Sequence, residues 1–290
     1  MPTVPRDPDC AHAVTRDPPH RARDAAESFG TDPERYDRTR PRSPRALADR
    51  ILADSPGLDV LDVGIGTGIS AEPFRQAGCR VLGVEADARM AAFARERGFA
   101  VEVARFEDWK PAGRTFDAVI AGMTWHWVDP VTGAEKAAAV LRPAGRLAVF
   151  WNVGQPPPDL AEAFSAVYRR VLPGTPFAGS PRDASAAYDR ILDAASAGIR
   201  ATRAFSEPER RQVGWRRGYT RAQWLEQVPT FGGHSTLPAS TLEELLTGIG
   251  AAIDVAGGRF TMRYTALALT AGLDGPDPDP GAGRRLPEVS

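Results

Sequence analysis

The chain has 290 residues, 42% of them hydrophobic and 25% charged, the ordinary balance of a globular protein. Its 36 Lys and Arg against 37 Asp and Glu leave a formal net charge of −1, which excludes a field that would draw it to nucleic acid or an anionic membrane. No apolar run approaches a membrane span and the first residues, M-P-T-V-P-R-D-P-D, carry no apolar signal core, so a soluble cytoplasmic protein is expected. The two cysteines, Cys10 and Cys79, lie in unlike contexts, which predicts no structural disulfide.

Residues 1–27 are rich in Pro, Asp and Arg without periodicity and read as a disordered arm. The next stretch, to Pro44, reads either as a polar lead-in or as a lid in which Tyr36, Arg40 and Arg42 offer a ring and two cations to a ligand. Arg45–Ala53 is an amphipathic helix with Leu47, Ile51 and Leu52 on one side, ended by Asp-Ser-Pro-Gly. Then comes V-L-D-V-G-I-G-T-G, Val60–Gly68. Its apolar start suits a strand buried on both faces. Gly64, Gly66 and Gly68 let the backbone turn tightly and approach a ligand. A helix follows, with Ser70 as its cap and Pro73 in its first turn.

From here the pattern alternates. Cys79–Glu85 is a second strand ending in an acid. Asp87–Arg97 is a helix capped by Asp87 and stopped by Gly98. Phe99–Phe106 and Phe116–Met123 are the third and fourth strands, Thr132–Leu141 a helix, and Arg146–Trp151 the fifth strand. Strands spaced by helices imply a parallel sheet with right-handed crossovers. Ligands of such sheets sit beyond the carboxyl ends of the strands, which gathers Gly64, Glu85, Phe106 and the residues after Met123 around one crevice.

Past Trp151 the texture changes. Asn152–Pro158 reads as a connection, Leu160–Leu172 as an amphipathic helix, Pro173–Ser185 as a loop and Tyr188–Ala197 as a short helix stopped by Gly198. Val213–Tyr219 and Arg259–Ala271 bring the strands to seven, with helices over Arg221–Val228 and Thr241–Ala256. The expected fold is α/β: a Rossmann-like, seven-stranded, mostly parallel sheet with helices on both faces and an N-terminal lid. One domain spans 28–272, with a helical cap insertion over about 152–200 and a flexible tail over 273–290.

A dinucleotide fingerprint needs G-x-G-x-x-G. Here the spacing is G-x-G-x-G, and Ile69 occupies the place of the third glycine. Asp62, before the turn, puts a carboxylate near the ligand, which suits a cationic group better than a diphosphate. Glu85 is placed to accept two ribose hydroxyls.

In V-L-D-V-G-I-G-T-G, V-L-G-V-E-A-D-A-R-M, F-E-D-W and F-D-A-V-I-A-G-M-T-W-H-W the chain resembles the class I S-adenosylmethionine-dependent methyltransferases, in the type 11 or trans-aconitate methyltransferase-like branch, from about Phe29 to Asn152. The resemblance implies S-adenosyl-L-methionine as cofactor. Asp62, Gly64, Gly66 and Gly68 would cradle its methionine part and ribose, and Glu85 would bind the ribose, with Ala86 and Met90 beside the adenosine. Phe106, Glu107 and Asp108 would hold adenine, although Arg105 stands where many relatives have Asp. Thr124-Trp125-His126-Trp127 would lie beside the methyl group. His126 is there either a general base or polar anchor, or a packing residue; Trp125 and Trp127 are either substrate contacts or core. Tyr36 and Arg40 would close over the cofactor, the arginine pairing with its carboxylate, and His234 is a loop residue within possible reach of substrate.

The implied partner is a small-molecule acceptor of methyl on O, N or C. T-W-H-W is not the Asp/Asn-Pro-Pro-aromatic tetrad of enzymes that methylate base amines, no basic stripe with interleaved aromatics suggests nucleic acid, and Asp129 alone makes no metal cluster. Two alternatives stand beside this: a nicotinamide-dependent oxidoreductase of similar layout, disfavoured by G-x-G-x-G and the lack of a Tyr-x-x-x-Lys pair at Lys110 or Lys136, and a non-catalytic cofactor-binding protein. The sequence leaves the oligomeric state open.

Overall fold

Asp59–Val63 forms the first strand, β1, buried from Val60 onward. It pairs in parallel with β2 (Arg80–Glu85) on one side and β4 (Phe116–Gly122) on the other. In the computed structural model, which describes residues 28–274, the seven strands of the sheet run in the order β3-β2-β1-β4-β5-β7-β6. The ladder is parallel from β3 (Ala100–Val103) to β5 (Leu141–Gln155). It is antiparallel through β7 (Arg259–Gly272) to the edge strand β6 (Glu209–Thr220). Every residue of β4 is buried, as a central strand covered on both faces requires. The chain winds outward in opposite directions from β1 and β4, so a crevice opens beyond their carboxyl ends.

The helices follow their sequence signals closely in this half. Pro33–Thr39 is α1, and α2 is Arg45–Ala53, which buries Leu47, Ala48 and Ile51. Ala88–Glu96 is α4, capped by Asp87, whose carboxylate accepts the Arg89 N–H at 2.8 Å. Pro130–Val140 is α5; it starts two residues earlier than expected because Asp129 caps it, accepting from the N–H groups of Val131 and Thr132. One cap is corrected. The short α3 (Glu72–Gln76) has Ala71 at its N-cap with no side-chain bond, while Ser70 donates instead to Asp62 Oδ2 at 2.7 Å.

Two strands differ from expectation for reasons of pairing. The third ends at Val103, and the chain turns away so that Phe106 stacks on Trp109 with ring centroids 6.3 Å apart. The fifth runs on through Asn152 to Gln155, where a connection was expected, because β7 keeps pairing with it as far as Gln155 opposite Arg263.

The larger correction concerns residues 152–200, expected as a cap. Pro158–Val171 is α6, Arg221–Gln227 α8 and Ala239–Val255 α9. They enclose a second core with the far end of β6 and β7, in which Leu160, Phe164 and Tyr168 meet Trp224, Leu245 and Phe260. Pro181–Thr202 is one 22-residue helix, α7, where a loop and a short helix were expected. Its Leu192, Ala195 and Ile199 pack with Ala134 and Ala137 of α5 in the core that covers one face of the sheet. Among the described residues, none from 153 to 200 lines the crevice. Gly198 does not stop α7 but lies inside it, where a Cβ would stand 2.3 Å from the Pro130 carbonyl oxygen.

The tail also begins later than expected, since Leu273 and Asp274 donate backbone bonds to Gly145 and Ala204; the arm over 1–27 and the tail from 275 lie outside the described residues. Among the described residues no helix is long and apolar enough to cross a membrane.

The close approach of α7 to Pro130 makes Gly198→Ala a direct test of the packing. Alanine favours a helix interior by about 1 kcal/mol over glycine, but the overpacking costs about 1–3 kcal/mol. The variant is expected to unfold at lower urea than the wild type; an unchanged or higher midpoint would show that α7 does not press on α5 here.

Candidate active site

The crevice floor is the turn after β1. Its three glycines all have positive φ, at 65°, 58° and 90°, and their surroundings differ. A Cβ on Gly64 would stand 2.1 Å from the Thr124 methyl, and one on Gly68 2.4 Å from the Phe99 ring. Both are therefore close-packing positions, and Gly68 does not line the crevice, contrary to the expected cradle of three. Gly66 is the one that faces open space, with only the Met90 methyl 3.8 Å from a Cβ placed there.

Glu85, at the end of β2, braces this turn. Its Oε2 accepts the Gly66 N–H at 2.8 Å and its Oε1 the Asp87 N–H at 2.9 Å. Burial pushes the carboxyl up from its ordinary value, and these backbone donors oppose the shift. Ala86 and Met90 continue the wall, followed by Phe106 and Glu107 from the end of β3. Glu107 is held on both sides: its carboxylate accepts the Asp129 N–H at 3.2 Å and its carbonyl accepts from Lys136 Nζ at 2.7 Å. Arg105 Nη2 lies 3.6 Å from the same carboxylate. Asp108 is not part of the wall.

At the exit of β4, Met123 holds a left-handed backbone, φ 60°, a strained conformation for a side-chain-bearing residue. Thr124 lines the crevice and its hydroxyl reaches the Gly64 carbonyl at 3.1 Å. Trp125 turns away into the core, 1% exposed and packed on Phe106 and Gly133, so the expected substrate contact is corrected to a core residue. Trp127 does line the crevice, its ring edge-on to Phe29. His126 lines it too, but its Nδ1 accepts the Trp151 indole N–H at 3.1 Å, and burial pushes its pKa down to about 4. A ring so engaged is not the free general base the sequence suggested.

The segment before α2, expected as a lid, forms one wall of the crevice. Phe29, Tyr36, Arg40, Pro41 and Ser43 all face the crevice. Arg40 is committed to the protein: its guanidinium lies over the rings of Tyr36 and Phe231, at 4.9 and 5.2 Å, and donates to the Thr230 carbonyl at 3.1 Å. Asp37 was not singled out from the sequence, yet it fastens the lid. Arg97 donates to Asp37 at 2.6 Å and to the Thr67 carbonyl of the glycine turn at 2.7 Å. Arg217 donates to the Thr39 carbonyl at 3.1 Å on the other side. His234 lies outside the crevice; it is buried and bonded to the Tyr168 hydroxyl at 3.0 Å.

Residues 61–149, which carry the glycine turn, Glu85 and the β4 exit, match the family model described as the methyltransferase domain. An uncharacterized methyltransferase of Mycobacterium tuberculosis is 33% identical over 138 residues, covering 45% of this chain and 54% of that protein. A demethylmenaquinone methyltransferase of Tropheryma whipplei is 32% identical over 139 residues, covering 44% of this chain and 56% of that one. The chain thus spans about half the length of the curated relatives it matches. The structure of a putative type II methyltransferase from Anaeromyxobacter dehalogenans shares the fold, with TM-score 0.56 and 22% identity over 80% of this chain and 97% of that one. Residues 61–149 thus match a methyltransferase domain, and the chain shares its fold with a solved methyltransferase. The trans-aconitate-like branch of the resemblance is not what these relatives single out.

The fold brings Tyr36, Arg40, Gly64, Gly66, Glu85, Ala86, Met90, Phe106, Glu107, Thr124, His126 and Trp127 to one crevice. It withdraws Asp62, Gly68 and Trp125. Asp62 is fully buried beneath the glycine turn, with Oδ1 unpartnered and Oδ2 accepting from Ser70. Loss of hydration pushes its pKa up to about 8, the nearby Glu85 charge adds to the shift, and the Ser70 bond opposes it. Ser43 and Asn152 also line the crevice; they had no sequence signal because their contact joins distant parts of the chain.

Asp62 therefore holds its proton in the fold at pH values where the unfolded chain, with a carboxyl pKa of about 3.9, has lost it. The resulting stability is complete below the unfolded pKa and is lost as pH rises towards the folded one. Asp62→Asn keeps the shape and cannot ionise, so its melting temperature is expected to gain on the wild type from about pH 5 to about pH 8. Thermal melts across that window check this; a constant difference would mean that the carboxyl is ionised throughout.

Proposed function

We propose that this protein transfers a methyl group from S-adenosylmethionine to a small-molecule nucleophile. The observation that carries this reading is Gly66, bare and left-handed at the crevice floor, where a side chain would occupy ligand space. The residues around it fit an amino-acid nucleoside. Glu85 offers carboxylate oxygens beside the turn, as hydroxyl pairs require, and Met90 and Phe106 offer apolar surface to a flat base. When bound, the sulfonium supplies an activated methyl group for in-line displacement.

The chain's own contribution is positioning and exclusion of water, which account for a large share of the rate in such a reaction. The glycine turn and Glu85 fix one reactant, while the lid, fastened through Asp37 and Arg97, covers it. A small acceptor is supported by the size of the crevice and by relatives named as a demethylmenaquinone methyltransferase and a ubiquinone biosynthesis O-methyltransferase. We place the protein in the cytoplasm on the buried free thiol of Cys79, which suits a reducing compartment.

Calorimetric titration tests the reading. The wild type is expected to bind S-adenosylmethionine, Gly66→Val to lose about 100-fold or more in affinity through backbone strain and blocked space, and Glu85→Gln about 10-fold. Transfer of labelled methyl to a component of a metabolite extract then separates an enzyme from a binding protein. Tight NAD binding without response to S-adenosylmethionine would overturn the proposal.

A further inference from the structure

The polar groups at the β4–β5 end of the crevice are oriented by two tryptophans. An indole N–H donates and cannot accept. Trp151 donates to His126 Nδ1 at 3.1 Å, which occupies that lone pair and puts the neutral ring's own proton on Nε2. Burial keeps the ring neutral, so Nε2–H is what His126 offers to the crevice it lines. Trp215 donates to Asn152 Oδ1 at 3.3 Å, which turns the amide so that Nδ2 donates to Ser43 Oγ, also at 3.3 Å. A serine hydroxyl that accepts there has its own O–H left to donate, and Ser43 lines the crevice. Trp151 and Asn152 are consecutive in β5, so the two relays start from opposite faces of the same strand.

The remaining charge follows the same division. Arg40, a donor only, faces the crevice with one Nη on the Thr230 carbonyl and Nε buried without a partner. The carboxylates of the wall stand at the exits of β2 and β3 and already accept from the protein: Glu85 from Gly66 and Asp87, Asp87 from Arg89, and Glu107 from Asp129. Arg105 stands beside Glu107.

Resting on the methyl-transfer reading, we infer that the oriented donors of His126, Ser43 and Arg40 make this end of the crevice a recognition site that takes an acceptor through a hydrogen-bond-accepting oxygen in preference to an amine. His126 binds such an oxygen through Nε2–H and takes no proton from it. The acceptor is therefore a carboxylate, an enolate or an acidic phenol that arrives already ionised, and its lone pair is free for the methyl carbon. Trp151 is a positioning residue that acts through the imidazole.

The test uses the full-length protein with S-adenosylhomocysteine bound. Nitrogen-15 NMR of histidine-labelled protein, with the His126 resonance identified by its loss in His126→Gln, is expected to show the Nε2–H form from about pH 5.5 to about pH 8.5. An Nδ1–H form, or a titration within that range, would overturn the inference. Trp151→Phe removes the indole donor and is expected to release the tautomer to a mixture.

Ligand-observed NMR with benzoate and benzylamine then reads the lining. Benzoate is expected to bind at least about tenfold more tightly, a preference lost in His126→Phe and kept in His126→Gln, whose amide can still donate. No discrimination between the probes, preference for the amine, or an intact preference in His126→Phe would overturn the proposal. Failure to bind S-adenosylhomocysteine would instead sink the methyl-transfer reading, while the tautomer measurement on the protein alone would stand.

Discussion

The site depends on one carboxylate accepting two backbone N–H groups. The turn after β1 holds three residues with positive φ within five positions, a conformation that only glycine adopts without strain. Its start is tied to β2 by the Gly64 and Ile65 N–H groups, which donate to the Val84 carbonyl at 2.7 and 3.3 Å, while the Gly66 N–H at its tip has a side chain as partner. Glu85 fixes that tip, because it leaves β2 beside β1 and reaches both Gly66 and Asp87. One bond holds the turn open and the other sets the start of α4, so the parallel pairing of two strands is converted into the position of a ligand floor. Partial burial of the carboxyl is tolerated because both oxygens are bonded.

The lid extends the same logic to the other side of the crevice. Arg97 lies at the end of α4, and its guanidinium joins Asp37 of the lid to the Thr67 carbonyl of the turn. A planar fork suits a carboxylate and a carbonyl together in a way a lysine would not. The lid is then tied to the second core through Arg40 and Thr230 and through Arg217 and Thr39. The distal helical half therefore serves the site without lining it, by holding the segment that does.

What the sequence made legible was whatever neighbours in the chain decide. The strand-turn-helix of Val60–Gly68, the capping of α4 by Asp87 and the amphipathic face of α2 are local patterns, and the structure keeps them. The seven strands and their mostly parallel arrangement follow from the same alternation. Errors arose where distant partners decide. Ser70 has the chemistry of a cap, but the buried carboxyl of Asp62 claims its hydroxyl. Gly198 looks like a stop until Pro130 of another helix is seen against it. Trp125 and Trp127 are indistinguishable in T-W-H-W, and only packing against Phe106 and Phe29 separates core from wall.

The tryptophan pairings were illegible for the same reason, and they change what His126 can do. Twenty-five residues separate His126 from Trp151, and 109 separate Ser43 from Asn152. A histidine at a strand exit near neutral pH invites the role of base, since its unperturbed pKa is about 6.5. Two features of the fold remove that role together: burial disfavours the charged ring, and a donor that cannot reverse its sense takes the lone pair. A reaction whose donor already carries a strongly activated methyl group does not require a base if the nucleophile arrives ionised. On the proposed reading the fold has only to hold an oxygen in line, and rigid donors fixed by β5 do that with less loss of freedom than a mobile acid–base pair.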